Sequence, residues 1–349
     1  MSRTVAIVIP TLNEEARIGG LLAQVSRLPG DLVVDIMVAD GRSTDRTRAL
    51  VEEAARMDPR VRLIDNPARL QAAGVNRAVA VADPRADTIV RIDAHAFYPD
   101  DYVPCIVAAF AQTGADMVAI RLNTQGQTCL QRGIAAAQNS KVGSGGSAHR
   151  VGGYRGFVDH GHHAGMDRAM FVSVSGYDER FAANEDAELD SRIRRAGGRI
   201  WLAGDIEAVY FPRRTLSALW RQYRRYGQGR ARTFLKHRER LRARQMLPPL
   251  LPIAILGSLL LAPVLPWLLA VPALYAALLV GTAFALVRQT GRSCALFAAP
   301  ATATMHLAWG IGFLACVLDR TERRRFSLSQ PKPSECVSAR QPMYSGGEI

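Results

Sequence analysis

The sequence predicts an α/β fold, a mainly parallel sheet flanked by helices, followed by C-terminal transmembrane helices. Three observations lead to this class. Short β-rich runs alternate with helical stretches over residues 4–121, as in βαβ units. Two segments without a charged side chain, 246–287 and 293–318, are long enough for crossings of ~20 residues each. A strongly basic segment, 213–244, lies directly before the first of them.

The elements of the first part of the chain follow one another as strand and helix. Ligands bind to such sheets at the carboxyl ends of the strands, so we expect functional side chains in the loops after them. Further on we expect a loop over 140–165, a short helix over 186–196 and two short strands over 199–211. The predicted strands are Thr4–Ile9, Leu32–Ala39, Val61–Ile64, Thr88–Ile92 and Met117–Ile120, and the predicted helices are Glu15–Leu28, Thr44–Arg56, Leu70–Ala82 and Asp100–Gln112.

Composition divides the chain into four expected regions. Pro263 and Pro266 lie where the first uncharged run should break. Three crossings would place the arginines at 320 and 323–325 outside, against the positive-inside tendency, so residues 247–262 can instead lie in the interface. The regions are an α/β domain over 1–212, a basic amphipathic juxtamembrane helix region over 213–245, a transmembrane region of two to three helices over 246–319, and a polar, disordered tail over 320–349.

The charge of the chain is concentrated beside the membrane segments. The net charge is +13, and twelve Lys and Arg with one acid, Glu239, lie between Arg213 and Arg244. Nucleic-acid binding is one interpretation, but the position favours a collar on anionic lipids, at ~1 kcal/mol per residue, and we expect no nucleic-acid partner. Basic flanks stay on the cytoplasmic side, so we expect a multi-pass protein of the inner membrane with a cytoplasmic α/β domain. Val5–Ile9 is too short for a signal peptide.

The remaining composition excludes other classes. A hydrophobic fraction of 48% argues against global disorder, and the absence of a repeat argues against a solenoid. Five cysteines, odd in number and widely spaced, predict neither a disulfide framework nor a zinc site, and they favour a reducing compartment. They are Cys105, Cys129, Cys294, Cys316 and Cys336.

Two loops that follow predicted strands carry polar residues typical of a binding edge. The first is Pro10-Thr11-Leu12-Asn13-Glu14-Glu15, in which Asn13 can also simply cap a helix. The second begins Asp40-Gly41-Arg42-Ser43-Thr44-Asp45. Asp40 stands before the glycine, where a cap does not need it, and its carboxylate can accept the N–H of a nucleobase ring.

Two further segments carry acids that suit metal binding and proton transfer. Asp93 and His95 follow the fourth strand, and a local bend can turn both toward one ion; a structural Asp at a strand end is the alternative. Residues 185–190 hold four acids in six positions. These either favour the helix dipole or direct Asp186 into a cleft as a base.

Taken together over residues 4–230, these segments resemble the family 2 glycosyltransferases, which are inverting enzymes with a nucleotide-binding GT-A fold. The Asp-Ala-His variant at 93–95, with Tyr98-Pro99 and residues 159–163, is similar to the succinoglycan-type glucosyltransferases. Residues 8–15 resemble the opening motif, 40–45 the Asp-Gly-Ser-x-Asp loop with Arg42 inserted, 93–95 the Asp-x-Asp metal motif, Glu185-Asp186 the catalytic pair, and 222–226 the Gln-x-x-Arg-Trp motif with Tyr226 for Trp.

The resemblance implies a role for each motif. Asp186 would be the base, and Glu185 would orient it or touch the sugar. Asp93 would bind Mg²⁺ or Mn²⁺; His95 would be a second ligand, favouring Mn²⁺, or would hydrogen-bond the diphosphate. The donor nucleotide would lie against Pro10, Thr11, Asn13, Glu15, Asp40 and Asp45. The acceptor or diphosphate side would include Gln222, Arg225, Tyr226 and, unless residues 159–163 form a plain loop, His160 or His163.

The implied reaction moves a hexose, with glucose expected, from a UDP-sugar to a hydroxyl of a lipid-linked saccharide in exopolysaccharide or cell-surface glycan synthesis. The acceptor would be a polyprenyl-diphosphate-linked glycan, and other polysaccharide-assembly enzymes would be partners. Three alternatives stay open: a polyprenyl-phosphate sugar synthase, a processive synthase, and a non-catalytic basic scaffold on the membrane surface. The transferase hypothesis requires Asp40, Asp93 and Asp186 to meet in one cleft.

Overall fold

A mixed sheet organises the first two thirds of the chain. The computed structural model describes residues 3–239 and 241–327, and within them nine strands form this sheet. The strands are β1 (Val5–Thr11), β2 (Val33–Asp40), β3 (Val61–Asp65), β4 (Thr88–Arg91), β5 (Ala96–Phe97), β6 (Met117–Thr124), β7 (Gly156–Val158), β8 (His162–Asp167) and β9 (Ile200–Tyr210). Their order is β3-β2-β1-β4-β8-β6-β9-β5, with β7 beside β9.

Helices cover both faces of the sheet and continue into the C-terminal region. They are α1 (Ile18–Val25), α2 (Thr47–Met57), α3 (Gln71–Ala80), α4 (Tyr102–Thr113), α5 (Cys129–Gln138), α6 (Lys141–Ser144), α7 (Ala148–Val151), α8 (Arg168–Ser173), α9 (Glu185–Arg195), α10 (Leu216–His237), α11 (Ala243–Leu261), α12 (Ala270–Thr290), α13 (Ala298–Leu318) and α14 (Arg320–Ser327). Two 3-10 turns, Pro266–Leu269 and Ser293–Phe297, precede α12 and α13.

The first strand shows why these residues form a sheet buried on both faces. Its side chains alternate: Val5, Ile7 and Ile9 pack with α1 and α4, whereas Ala6 and Val8 pack with α3 and α9. Such apolar runs are typical of strands covered on both sides. The parallel ladder β3-β2-β1-β4 confirms the expected α/β fold and brings the carboxyl ends of four strands to one edge.

The second half of the sheet differs from the expectation. The sheet is parallel only in part, because β8 runs antiparallel between β4 and β6. This strand begins inside the segment 140–165, which was expected to be a loop. Its Gly and His residues hid a buried strand. The two strands expected over 199–211 are the single strand β9. Gly204-Asp205 resembles a turn in the sequence. In the structure the pairing of β9 with β6 only shifts register after Ala203, and the strand continues.

The basic helix α10 is shorter and more buried than expected. It ends at His237, before the left-handed Arg238, and α11 begins at Ala243, inside the region 213–245. Glycines allow α10 to pack tightly between two neighbours. A Cβ added at Gly227 would lie 2.0 Å from the Trp309 carbonyl oxygen, and one at Gly229 would lie 2.3 Å from that of Ala183. Thus α10 joins the α/β domain to α13.

Three C-terminal helices are long and apolar enough to cross a membrane among the described residues: 243–261, 266–290 and 293–318. The break between the first two falls at Pro263 and Pro266, as predicted. The disordered tail expected from residue 320 is wrong for 320–327, because α14 packs there: Phe326 is buried against Phe181, and Glu322 pairs with Arg232. Residues 328–349 of that tail lie outside the described part of the chain.

A disulfide corrects the expectation from the cysteines. Cys129 of α5 and Cys294 before α13 are joined, 165 residues apart in sequence. Spacing alone cannot reveal such a pairing. The bond connects the α/β domain with the C-terminal helices, while Cys105 and Cys316 are free thiols.

Candidate active site

A buried arginine at the end of β4 holds two carboxylates of the site together. The Arg91 guanidinium lies 3.1 Å from Asp93 Oδ1 and 2.8 Å from Asp186 Oδ1. Glu185 Oε1 is 3.9 Å from the same group, and Gln71 donates to Asp93 at 2.8 Å. The structure therefore brings together the predicted metal residue and the predicted catalytic pair, which are about ninety residues apart in sequence.

The charges around Arg91 determine the protonation of these acids. Burial would raise the pKa of Asp93, but Arg91, His162 and His95 lower it to about 2. Burial likewise opposes ionisation of Asp186, yet Arg91 and the nearby histidines hold the pKa of this group well below its usual value. For Glu185, burial and the adjacent Asp186 charge raise the pKa. Asp93 and Asp186 are consequently ionised at neutral pH.

The histidine segment contributes two neighbouring residues in different ways. His162 lines the cavity described below, and burial lowers its pKa to about 4 despite the Asp93 charge, so it is neutral at pH 7. His163, a predicted site residue, is fully buried beneath the cavity. It bonds Tyr177 and Asp190, and its Nδ1 is 3.3 Å from Asp186 Oδ1. Burial would lower the pKa of His163, but Asp186 and Asp190 raise it.

His160 lies in the cavity wall. Its Nδ1 lies 2.7 Å from Asp190 Oδ2, and its side chain is partly exposed. The expectation that His163 could touch diphosphate or acceptor is corrected, because alternation along β8 turns it into the protein and turns its neighbour His162 outward. His163 instead supports the carboxylate of Asp186 from below.

The predicted nucleotide residues bond chiefly within and between the loops that carry them. Asn13 Oδ1 accepts from Thr44 N, Glu15 N donates to Asp45, and Glu15 Oε2 accepts from Arg46 N. These bonds tie the loop after β1 to the loop after β2. Pro10 and Thr11 end β1, where Thr11 pairs with Asp40 across the ladder.

Asp40 has a role that the sequence analysis did not recognise. Its carboxylate is fully buried and accepts hydrogen bonds from Ser43 N, the Ser43 hydroxyl and Arg48. The loop therefore does use this carboxylate, contrary to the expectation that the turn before the next helix does not need it. Asn13 and Arg42 in these loops have left-handed backbones, with φ of 55° and 59°. Such strained residues cluster at functional sites because surrounding structure holds them.

One cavity of about 1610 Å³ joins the acids to the C-terminal helices. Asp93, His95, Glu185 and Asp186 lie in its wall, whereas Asp40 is not among its described lining residues. The ladder places Asp40 on the same sheet edge, because β2 pairs with β1 and β1 with β4. The expectation that all three acids meet in one cleft is therefore corrected for Asp40, which is buried behind the edge, whereas Asp93 and Asp186 share the cavity. The opposite wall comes from the C-terminal helices, with Leu250, Leu251, Ala254, Leu278 and Trp309.

The predicted acceptor-side residues of α10 line this cavity. Gln222 Nε2 donates to the hydroxyls of Tyr210 and Tyr226, while its buried Oε1 has no partner among the described residues. Arg225 is exposed in the same wall. The Tyr226 carbonyl accepts from Asn184, the residue before the catalytic pair. Thus α10 supplies both a wall of the cavity and a support for Glu185-Asp186.

A metal ion bound here would depend on the substrate for most of its ligands. No group of three or more His, Cys, Asp or Glu side chains suited to a metal occurs in residues 3–239 and 241–327. His95 Nδ1 is 3.7 Å from Glu14 rather than in contact with Asp93. Asp93 Oδ2 is the less engaged oxygen, 3.4 Å from Arg91. One carboxylate is enough for Mg²⁺ or Mn²⁺ that is held mainly by phosphate oxygens and water, so Asp93 fits such an ion.

Several site residues escaped the sequence analysis. Arg91 lies at the end of an otherwise apolar strand, and a single charged residue at such a position could have marked it as a site residue. His162 could be recognised only from the alternation of side chains along β8, which decides which histidine faces the cavity. Gln71 and Tyr177 gave no signal, because their roles arise only from packing: Tyr177 donates from its hydroxyl to Asp186 at 3.2 Å.

An α/β sheet with acids at its carboxyl edge, joined to apolar helices through one cavity, defines a GT-A-type sugar transferase associated with a membrane. The model for "Glycosyl transferase family 2" matches residues 6–173. The chain is 44% identical over 319 residues to succinoglycan biosynthesis protein ExoA of Rhizobium meliloti (strain 1021), covering 91% of this chain and 96% of that protein. The chain belongs to glycosyl transferase family 2 and is an enzyme of that family.

Two further relatives are more distant. Beta-monoglucosyldiacylglycerol synthase of Synechocystis sp. (strain ATCC 27184 / PCC 6803 / Kazusa) is 26% identical over 67% of this chain and 49% of its own. Mannosyltransferase PcManGT from Pyrobaculum calidifontis, solved with GDP-Man and Mn²⁺, is 22% identical with a TM-score of 0.54, covering 88% of each chain. This structural likeness supports the GT-A fold.

Proposed function

We propose that this chain transfers a hexose from a nucleotide-diphosphate sugar to a hydroxyl of a lipid-linked saccharide, with inversion at the anomeric carbon. Asp186 is the base. The observation that carries this assignment is the asymmetry of its carboxylate. Oδ1 is held by Arg91 and Tyr177, whereas Oδ2 makes no hydrogen bond among the described residues and belongs to a side chain in the cavity wall.

Asp186 accepts the proton of the acceptor hydroxyl as the oxygen of that hydroxyl attacks the anomeric carbon and the nucleotide diphosphate departs. The carboxylate is ionised before the reaction, and Arg91, Tyr177 and His163 fix its orientation. Its low pKa makes it a weak base at rest, but the attacking hydroxyl becomes more acidic as the new bond forms. Glu185, whose raised pKa favours its neutral form, orients the sugar or Asp186 rather than sharing the base role.

The donor side is assigned to the paired loops after β1 and β2. We infer that the nucleotide lies beside Pro10 and Thr11, and that Asn13, Glu15, Asp40 and Asp45 keep these loops in place. A divalent cation at Asp93, with His95 as ligand or as donor to the diphosphate, would offset charge on the departing nucleotide. PcManGT binds Mn²⁺, so Mn²⁺ and Mg²⁺ both belong in the assay.

The shape of the cavity supports a lipid-linked acceptor. The same cavity is lined by the acids at one end and by apolar side chains of α11 and α12 at the other. One relative is named for the biosynthesis of succinoglycan and another for a glucosylated diacylglycerol. We therefore propose glucose as the sugar, a polyprenyl-diphosphate-linked glycan as the acceptor, and exopolysaccharide synthesis as the process. Other enzymes of polysaccharide assembly would be partners.

The same proposal includes the topology of the chain. We infer a cytoplasmic catalytic domain over residues 1–212, joined through α10 to a multi-pass region in the inner membrane. The basic residues around α10 would face anionic lipid on the cytoplasmic side.

A donor screen on the full chain in detergent tests the function. UDP-glucose, UDP-galactose, UDP-GlcNAc and GDP-mannose are offered with Mn²⁺ or Mg²⁺ and a polyprenyl-diphosphate-linked saccharide, and nucleotide release is measured. We expect D186N to lower kcat by about 10³-fold and D93A to remove the dependence on metal. D31N, which changes an exposed carboxylate outside the cavity, should match wild type.

The assay also distinguishes the main alternative. A polyprenyl-phosphate sugar synthase glycosylates a phosphate and needs no base for a hydroxyl. If polyprenyl monophosphate is the better acceptor and D186N stays active on it, that alternative holds. Equal rates for wild type, D93A and D186N on every acceptor would reject the site assignment itself.

A further inference from the structure

One partly buried cation in the cavity wall has no hydrogen-bond or ion-pair partner in the described part of the chain. Arg230 of α10 lines the wall between the acids and the apolar helices, and no hydrogen bond or ion pair to its side chain occurs among the described residues. Gln222, Tyr226 and Arg230 follow one another at four-residue spacing on one helix face. Arg230 is therefore about 12 Å along α10 from Gln222, toward the C-terminal end of this helix.

The surroundings of Arg230 make its charge costly. Burial and the neighbouring Arg194 and Arg244 lower the pKa of Arg230, although Glu239 and Asp190 oppose this. Neither acid is available as a partner: Glu239 bonds Ser191 and Arg194, and Asp190 bonds His160 and His163. A half-buried cation without a counter-ion is destabilising unless an anion binds it.

Arg244 is a further cation of the same wall, and its side chain, unlike that of Arg230, is exposed. Its guanidinium donates to the carbonyls of Gly145 and Gly146, which fixes its position, and it makes no ion pair within the described residues. Among those residues the cavity wall contains nine Lys and Arg against five Asp and Glu. Three of the cations, Arg91, Arg194 and Arg242, already pair with carboxylates. The other six cations of the wall make no ion pair among the described residues.

We propose that Arg230, with Arg244, binds the diphosphate of the lipid-linked acceptor. This inference rests on the proposed function and adds the place where the acceptor is held. The saccharide would extend from Arg230 toward Asp186, and the polyprenyl chain would lie along Leu250, Leu251 and Leu278. Two guanidinium groups suit a diphosphate because each offers paired N–H donors to phosphate oxygens.

Binding of the lipid alone tests this site without requiring catalysis. Undecaprenyl diphosphate is titrated by calorimetry into the full chain in detergent, and UDP is titrated separately. We expect R230Q to weaken undecaprenyl diphosphate binding by about tenfold and R230K to recover part of it, while UDP binding stays within about twofold. R221Q is the matched control, because Arg221 is exposed on α10 outside the cavity.

Each other result decides against the site. If R230Q weakens UDP binding as much as lipid binding, Arg230 belongs to the donor diphosphate. If R221Q equals R230Q, the effect is general surface charge. If inorganic pyrophosphate competes as well as the lipid, the site is a simple anion site. Retained folding of R230Q is checked by its melting temperature. Because no sugar is transferred, an inactive or mistaken donor leaves these outcomes unaffected.

Discussion

The two sides of the candidate active site differ in how their polar groups are satisfied. In the loops after β1 and β2, polar side chains bond to one another: Asp40 accepts from Ser43 and Arg48, and Asn13 from Thr44. In the wall formed around α10, the buried Oε1 atoms of Gln138 and Gln222 have no partner among the described residues. The first side is complete without a ligand, whereas the second has polar groups that a ligand would satisfy.

This difference separates two ways of building a site. The β1–β2 edge is a preformed platform, because its hydrogen bonds already order the loops and no further ordering is needed when a ligand binds. The α10 wall carries buried polar atoms and a guanidinium that have no partner among residues 3–239 and 241–327. Such groups are tolerated in folded proteins chiefly where they serve binding. Substitutions should therefore act on stability at the first side and on ligand binding at the second. Arg91 lies between them and should affect both.

The largest effect on stability is expected from Arg91. R91Q leaves Asp93 and Asp186 buried without their cation, and breaking such a buried pair costs about 3–5 kcal/mol. Unfolding of the full chain in detergent, followed by denaturant titration, measures the loss. R77Q is the control, because Arg77 is exposed on α3. A loss for R91Q no larger than for R77Q would show that the two carboxylates do not depend on this guanidinium.

A smaller loss is expected from Asp40. D40N replaces a fully buried carboxylate that accepts three hydrogen bonds, one of them from Arg48, and should cost about 1–3 kcal/mol. D65N is the control: the half-exposed Asp65 also pairs with Arg48, but solvent screens this pair, so D65N should change stability much less than D40N. If D40N were neutral in unfolding and instead weakened UDP binding, Asp40 would be a nucleotide ligand and the platform description would fail.

The same comparison explains how far the sequence alone reached. The strands β1–β4 and β6, the loops after them, and the positions of Asp93 and Asp186 could be predicted, because local periodicity and position at strand ends decide them. Which partner each acid has could not, since Arg91 and Tyr177 meet Asp186 only through the packing of β4 and α9. The different orientations of His162 and His163 could not be predicted. Side-chain alternation separates the two residues only once β8 is recognised as a strand. The pairing of Cys129 with Cys294 arises from tertiary contact between α5 and the C-terminal helices.

The smallest effect on stability, and the sharpest test of the comparison, is expected from a pair of buried glutamines. Gln222 is on the α10 wall with an unpaired Oε1, whereas Gln131 of α5 is fully bonded, to Thr128 N and the Pro212 carbonyl. Q222L removes two hydrogen bonds to tyrosine hydroxyls but also an unsatisfied buried oxygen, so its net cost should stay within about 1 kcal/mol.

Q131L removes the same group where every bond is made, so it should cost about 2 kcal/mol. The KM for the lipid-linked acceptor should move the other way, rising about tenfold for Q222L, which loses its contact in the cavity wall, and staying unchanged for Q131L. Denaturant unfolding and acceptor kinetics on the two variants provide both readings. Equal stability losses for the two glutamines, with equal KM values, would mean that the α10 wall is packed for stability like the rest of the core, and that its unpaired oxygen has no part in binding.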